Sequence, residues 1–195
     1  MTLSIENSPS RSYTPPKWQD SPIRYGRISR ALHWLTAALV TFQFLVVLAW
    51  RVMGENTMTL LLAKVGPHGS LGILILIVTL ARISWAWVNR KQRPPSSPGL
   101  GGRLASVVHV SFYVLLLWLP AFALLRQYGR GGAIQLYSIE LLPEAEREIA
   151  WMMAPAGVLH SPLSWLLLGL ILGHVAMALA HRFWFKNPIL ARMVG

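Results

Sequence analysis

Cysteine is absent from the 195 residues. That absence excludes disulfides, thiolate-bound metals, iron–sulfur clusters on thiolates and cysteine nucleophiles. A metal or cofactor must then be held by histidine, methionine, carboxylate or backbone. Acidic residues are scarce, with seven Asp and Glu against 18 Lys and Arg, and all charged residues together make up 13% of the chain. Soluble domains carry about 25%. The deficit of charge, beside 54% hydrophobic residues, points to lipid as the surrounding medium. The net charge of +11 raises the question of nucleic acid, but the basic residues flank apolar segments and build no recognition motif. No nucleic-acid partner is expected. An apolar h-region with an A-x-A-like site is also lacking before the first long apolar run, so no signal peptide is expected.

Long apolar runs are what the sequence has. Ala31 to Trp50 carries no formal charge over twenty residues, and a bilayer core takes about 20 apolar residues as a helix. A second run extends from about Val65 to Val88 and holds Arg82 near its end. The third, Leu104 to Leu125, is again without charge, and the fourth covers about Leu159 to His181. Lipid offers an open chain no other way to satisfy its backbone groups, so all four are predicted as helices. The expected fold class is an all-α membrane protein, a four-helix transmembrane bundle spanning residues 25–195. Residues 1–24 read as a polar, flexible N-terminal extension.

The connections differ in character. Met53 to Lys64 reads as a short link. Arg90 to Arg103 is rich in proline, serine and glycine and reads as a turn-rich loop. Arg126 to Val158 is the longest, and its charged stretch Glu144–Glu148 is predicted as a short surface helix. Met152 and Met153 fall in the loop before the fourth span, and Pro120 is predicted to bend the third. Charge separates cleanly between the two ends of the bundle. The side with both termini and the middle loop, Arg82 included, holds thirteen Lys/Arg against two Asp/Glu; the other holds five against five. The positive-inside rule puts the charged side, and both termini, in the cytoplasm. Trp34, Trp50, Trp85, Trp87 and Trp184 fit interfacial belts or simple packing.

All six histidines lie in or at the ends of the spans. An ionisable residue in a membrane segment is costly and marks a functional hypothesis. His160 and His174 are fourteen residues apart, which on a helix is about 40° short of four turns and a rise of roughly 21 Å. Two ligands on one face at two depths suit two stacked cofactors. Depth pairs His33 with His174 towards the cytoplasm and His68 with His160 towards the outside. Bis-histidine ligation leaves haem iron without an open axial position and favours electron transfer. Against this stands the reading of the histidines as polar packing residues. His109 and His181 stay outside the scheme, as interfacial residues or as quinone or haem-propionate contacts, and His109 competes with His33 for the inner position. Arg82, fourteen residues after His68, either faces inward to a propionate or snorkels to the interface. Gly169 and Gly173 permit helix contact or clear space for a macrocycle.

The stretches RISRALHWLTAALV, HGSLGILILIVTLARISW, HVSFYVLLLWLPAFALL and LHSPLSWLLLGLILGHVAMALAHRFWFKNPILARM resemble the bacterial cytochrome b561 family, related to the cytochrome b subunits of hydrogenases and formate dehydrogenases. The resemblance runs from about Tyr25 to Met193. It implies a bacterial inner-membrane protein with two b haems on His33, His68, His160 and His174. It also implies electron exchange with ubiquinone or another membrane quinone, and in some members electrons from superoxide. The expected partners are lipid, quinone and a periplasmic electron donor or acceptor. The alternative is a cytochrome b anchor that docks a dehydrogenase or periplasmic cytochrome.

Overall fold

The structure, a computed structural model, describes residues 18–96, 98–187 and 189–194. Most of the expected N-terminal extension, residues 1–17, lies outside the described residues. In chain order the elements are α1 (Arg27–Met53), α2 (Thr57–Val65), α3 (His68–Val88), α4 (Gly99–Gly129), β1 (Ile134–Leu136), β2 (Ile139–Leu142), α5 (Ala150–Phe183) and α6 (Ala191–Val194). Four segments, α1, α2 with α3, α4 and α5, are long and apolar enough to cross a membrane. The fold is the expected all-α four-helix membrane bundle. Its outward Leu, Val and Trp side chains are widely exposed, a surface that needs lipid to cover it.

The borders differ from expectation in four places. The link from Met53 to Lys64 contains α2. Asn56 starts it: its side-chain oxygen accepts from the backbone N–H of Met58 and Thr59, while Thr59 Oγ1 accepts from the backbone N–H of Asn56. This reciprocal cap works with threonine at the third position, where Glu or Gln is the usual signal. Gly66 and Pro67 then separate α2 from α3, and a Cβ on Gly66 would meet the Phe42 ring at 2.4 Å. The stretch Glu144–Glu148 is not helical. A β1–β2 hairpin precedes it instead. Finally, α5 begins nine residues before the expected Leu159, so Met152 and Met153 lie in its first turn. Ile149 N–H donates to Gly129 O at 2.7 Å, which ties the start of α5 to the end of α4. A Cβ on Gly129 would sit 2.6 Å from Met152 Cβ, so glycine is required for that approach. Pro120 removes one backbone donor from α4, and the helix continues through it to Gly129.

Seven residues on a helix turn about 20° short of two full turns. Val40, Ile75, Leu116 and Leu167 each lie seven residues after a histidine (His33, His68, His109 and His160), and all four are in the buried core cluster with Leu115 and Leu119. The inward face of each helix therefore runs histidine, then core residue, and the apolar core fills the depth between the two ends. Among the tryptophans, Trp34, Trp50, Trp87 and Trp184 are exposed as a belt requires. Trp85 turns in and donates to Ser29 Oγ at 3.0 Å.

One end of the bundle is tied by Asp20, which is fully buried. Its carboxylate accepts from Gly26 N–H at 2.8 Å and Arg93 Nε at 3.1 Å. Arg93 also lies over the Tyr25 ring, and burial pushes the Tyr25 phenol up from its ordinary pKa. Arg30 donates to Val194 O and Trp34 Nε1 to Met193 O, so the segment after α5 returns to the start of α1.

Candidate functional site

Close backbone packing joins α4 to α5, α1 to α3 and α3 to α4. The histidine pairs span other helices. His33 on α1 faces His174 on α5 with ring centroids 6.5 Å apart, and His68 on α3 faces His160 on α5 at 6.0 Å. Neither α1 with α5 nor α3 with α5 belongs to the closely packed pairs, so these side chains reach across wider gaps. The helix α5 is continuous from Ala150 to Phe183, and the two sites on it are separated by roughly 21 Å along its axis. Among the described residues no group of three His, Asp or Glu side chains is placed to hold a metal. The arrangement is one of pairs.

Two imidazoles coaxial across one metal ion, each about 2.0 Å from it, have ring centroids about 6.3 Å apart. Both pairs lie close to that separation. His109 is different. It contacts His174 at 5.5 Å with the planes at 71°, a shorter separation than in either pair. Phe112 contacts the same ring at 5.5 Å. His174 is thus surrounded by His33, His109 and Phe112. His181 is not part of this group; its ring lies against Phe185 at 5.3 Å.

Beside the His68–His160 pair is a cavity of about 730 Å³, within the 300–1,000 Å³ typical of cofactor sites. His68, His160, Leu116 and Leu167 line it, and so do Arg51, Arg126 and Arg130 at its rim, with no Asp or Glu among the described residues that line it. Arg51 stacks on Trp165 at 5.4 Å, and Arg130 bonds the Gln127 amide oxygen. The hairpin closes one side through Ala133, Ile134, Gln135 and Tyr137. Ser70 pins it: Tyr137 N–H donates to Ser70 Oγ at 2.8 Å. Tyr137 has φ +53°, a left-handed turn conformation uncommon for a large side chain. An apolar slot with two histidines and three cations fits a flat, dianionic macrocycle such as haem.

Arg82 turns into the bundle. Its Nη2 donates to His33 Nδ1 at 3.0 Å, and its guanidinium lies over the Tyr113 ring at 5.4 Å. Among the described residues the Asp20–Arg93 ion pair is the only one, so Arg82 has no carboxylate. A guanidinium only donates. His33 Nδ1 therefore accepts, and a neutral ring carries its proton on Nε2. Ligation through Nε2 requires that proton on Nδ1 and Arg82 on another acceptor, a role a haem propionate fills. With that exchange the inner pair fits the group as well. The small-residue positions Gly169 and Gly173 have nothing within 4 Å of an added Cβ, so neither supports a helix contact within the chain.

Sequence reasoning missed Gln43. Its Nε2 lies 3.0 Å from His68 Nδ1 and 3.1 Å from the His68 carbonyl oxygen. The available signal was a lone amide in an otherwise uncharged span.

The sequence model of the prokaryotic cytochrome b561 family matches residues 24–195. Cytochrome b561 homolog 2 of Escherichia coli (strain K12) is 30% identical over 177 residues, which cover 90% of this chain and 94% of that protein.

Proposed function

The chain belongs to the prokaryotic cytochrome b561 family, and from that premise we propose that two b haems carry electrons between a periplasmic redox partner, superoxide being one candidate, and membrane quinone. Membership brings transmembrane electron transfer by b-type haem and contact with lipid. The observation that carries the two-haem reading is the presence of two histidine pairs at two depths on α5, at 6.5 and 6.0 Å. Haem supplies a one-electron ferric/ferrous couple when bound.

The residues divide the remaining work. His33, His68, His160 and His174 would hold the two haem irons. Val40, Ile75, Leu116 and Leu167 keep the space between the sites dry. Arg51, Arg126 and Arg130 line the outer cavity and favour anions there, whether a propionate or an approaching anionic substrate. The glutamates that balance their charge along the sequence, Glu55, Glu140, Glu144, Glu146 and Glu148, do not line that cavity. At the opposite end His109 and His181 are candidates to hydrogen-bond a quinone oxygen or hold a proton near it. A crevice of about 280 Å³ lined by Leu179, Arg182, Phe183 and Leu190 lies between the end of α5 and α6, close along the chain to His181.

Stopped-flow spectroscopy of the purified, oxidised protein tests the reading. Superoxide should reduce the ferric haems, read as the appearance of the ferrous visible spectrum, and a quinone should then reoxidise them. Haems that superoxide leaves oxidised would end the superoxide reading and favour the anchor role. The orientation rests on the charge split of thirteen to two against five to five and has its own test. Reporter fusions at either terminus should report cytoplasm and a fusion near Glu144 periplasm; a periplasmic C-terminus would reverse the topology.

A further inference from the structure

Gln43 sits on α1 between the two ends of the bundle and lines the outer cavity. Its amide nitrogen is within hydrogen-bond distance of two acceptors on one residue, His68 Nδ1 and His68 O. Its amide oxygen is buried and has no partner among the described residues, so it is committed to no other donor.

Haem ligation at His68 would supply such a donor. With Nε2 of Gln43 donating, His68 Nδ1 accepts and its proton stays on the ring Nε2. A ring in that form has no lone pair on Nε2 to give an iron. Ligation through Nε2 moves the proton to Nδ1, which then needs an acceptor. A half-turn of the Gln43 amide gives up the bond from Nε2 to His68 O and presents Oε1 to Nδ1–H. Glutamine can make this exchange because it carries both a donor and an acceptor. Arg82, in the corresponding position beside His33 Nδ1, cannot.

We propose that Gln43 is a positioning residue for the outer haem: its amide oxygen accepts from His68 Nδ1–H, fixing the tautomer and the basicity of that axial ligand. The proposal rests on the assignment of His68 and His160 as axial ligands. Partners of this kind make a ligating imidazole more electron-donating, which favours the ferric state.

The test is a potentiometric titration of purified, haem-loaded protein as wild type, Gln43→Glu and Gln43→Met. The outer haem's transition is identified as the one that persists in His174→Ala protein. Glutamate, isosteric with glutamine, accepts more strongly and should move that midpoint below wild type. Methionine has similar length and no comparable acceptor; it should move the midpoint above wild type and weaken haem retention by roughly 10–100-fold. A tenfold change in the relative affinity for ferric and ferrous haem is about 59 mV for one electron. The inner haem should keep its midpoint in both variants. If Gln43→Met does not assemble, the shift in Gln43→Glu decides. No shift, shifts of one sign in both variants, or equal shifts at both haems mean that Gln43 only packs, and they overturn the proposal with the ligand assignment intact. A wild-type protein with one haem per chain, or a His68→Ala protein that keeps both, removes the assignment itself and the proposal with it.

Discussion

His174→Ala is expected to cut the haem content from about two to about one per chain, because each bis-histidine site depends on both its ligands. A pyridine haemochrome assay on purified protein measures this directly. The reason is the geometry of α5. His174 is the ring that His33 faces at 6.5 Å and the ring that His109 touches at 5.5 Å. Whichever of those two is its partner, removing His174 leaves the inner site with ligands from one side only. The outer pair lies roughly 21 Å away along the same helix, with Leu167 and its cluster between. It should keep its haem. His160→Ala is the mirror experiment and should spare the inner site. A fully loaded His174→Ala protein would sink the ligand assignment.

The second large effect separates His33 from His109. His33→Ala should empty the inner site, and His109→Ala should leave both haems bound. Two imidazoles across one iron need centroids about 6.3 Å apart. The 6.5 Å between His33 and His174 is nearer to that than the 5.5 Å between His109 and His174. His109 is also the more open of the two to its surroundings. Haem content and the low-spin visible spectrum of the two variants read the difference. Loss of the inner haem in His109→Ala with retention in His33→Ala would exchange their roles. It would also free His33 and Arg82 to keep the hydrogen bond they make at 3.0 Å.

Four spans were legible because lipid imposes a length and an apolar composition that few other structures need. The seven-residue and fourteen-residue spacings on α5 were legible for a related reason, since one rigid helix fixes depth and direction by counting alone. What could not be counted was anything between helices. His109 looks unpaired along the chain, yet packing of α4 on α5 brings it onto His174. Arg82 had two equal destinies in sequence, inward or outward, and the neighbouring His33 and Tyr113 decide for inward. Gln43 carries no motif and acquires meaning only because α3 begins with His68 beside it. The three arginines of the outer cavity are balanced by glutamates along the chain, and the balance fails in space because the glutamates do not line that cavity. Periodicity and hydropathy act within one helix and survive in the sequence; pairing, charge neighbourhood and tautomer depend on which helices meet, and the tertiary structure alone decides that.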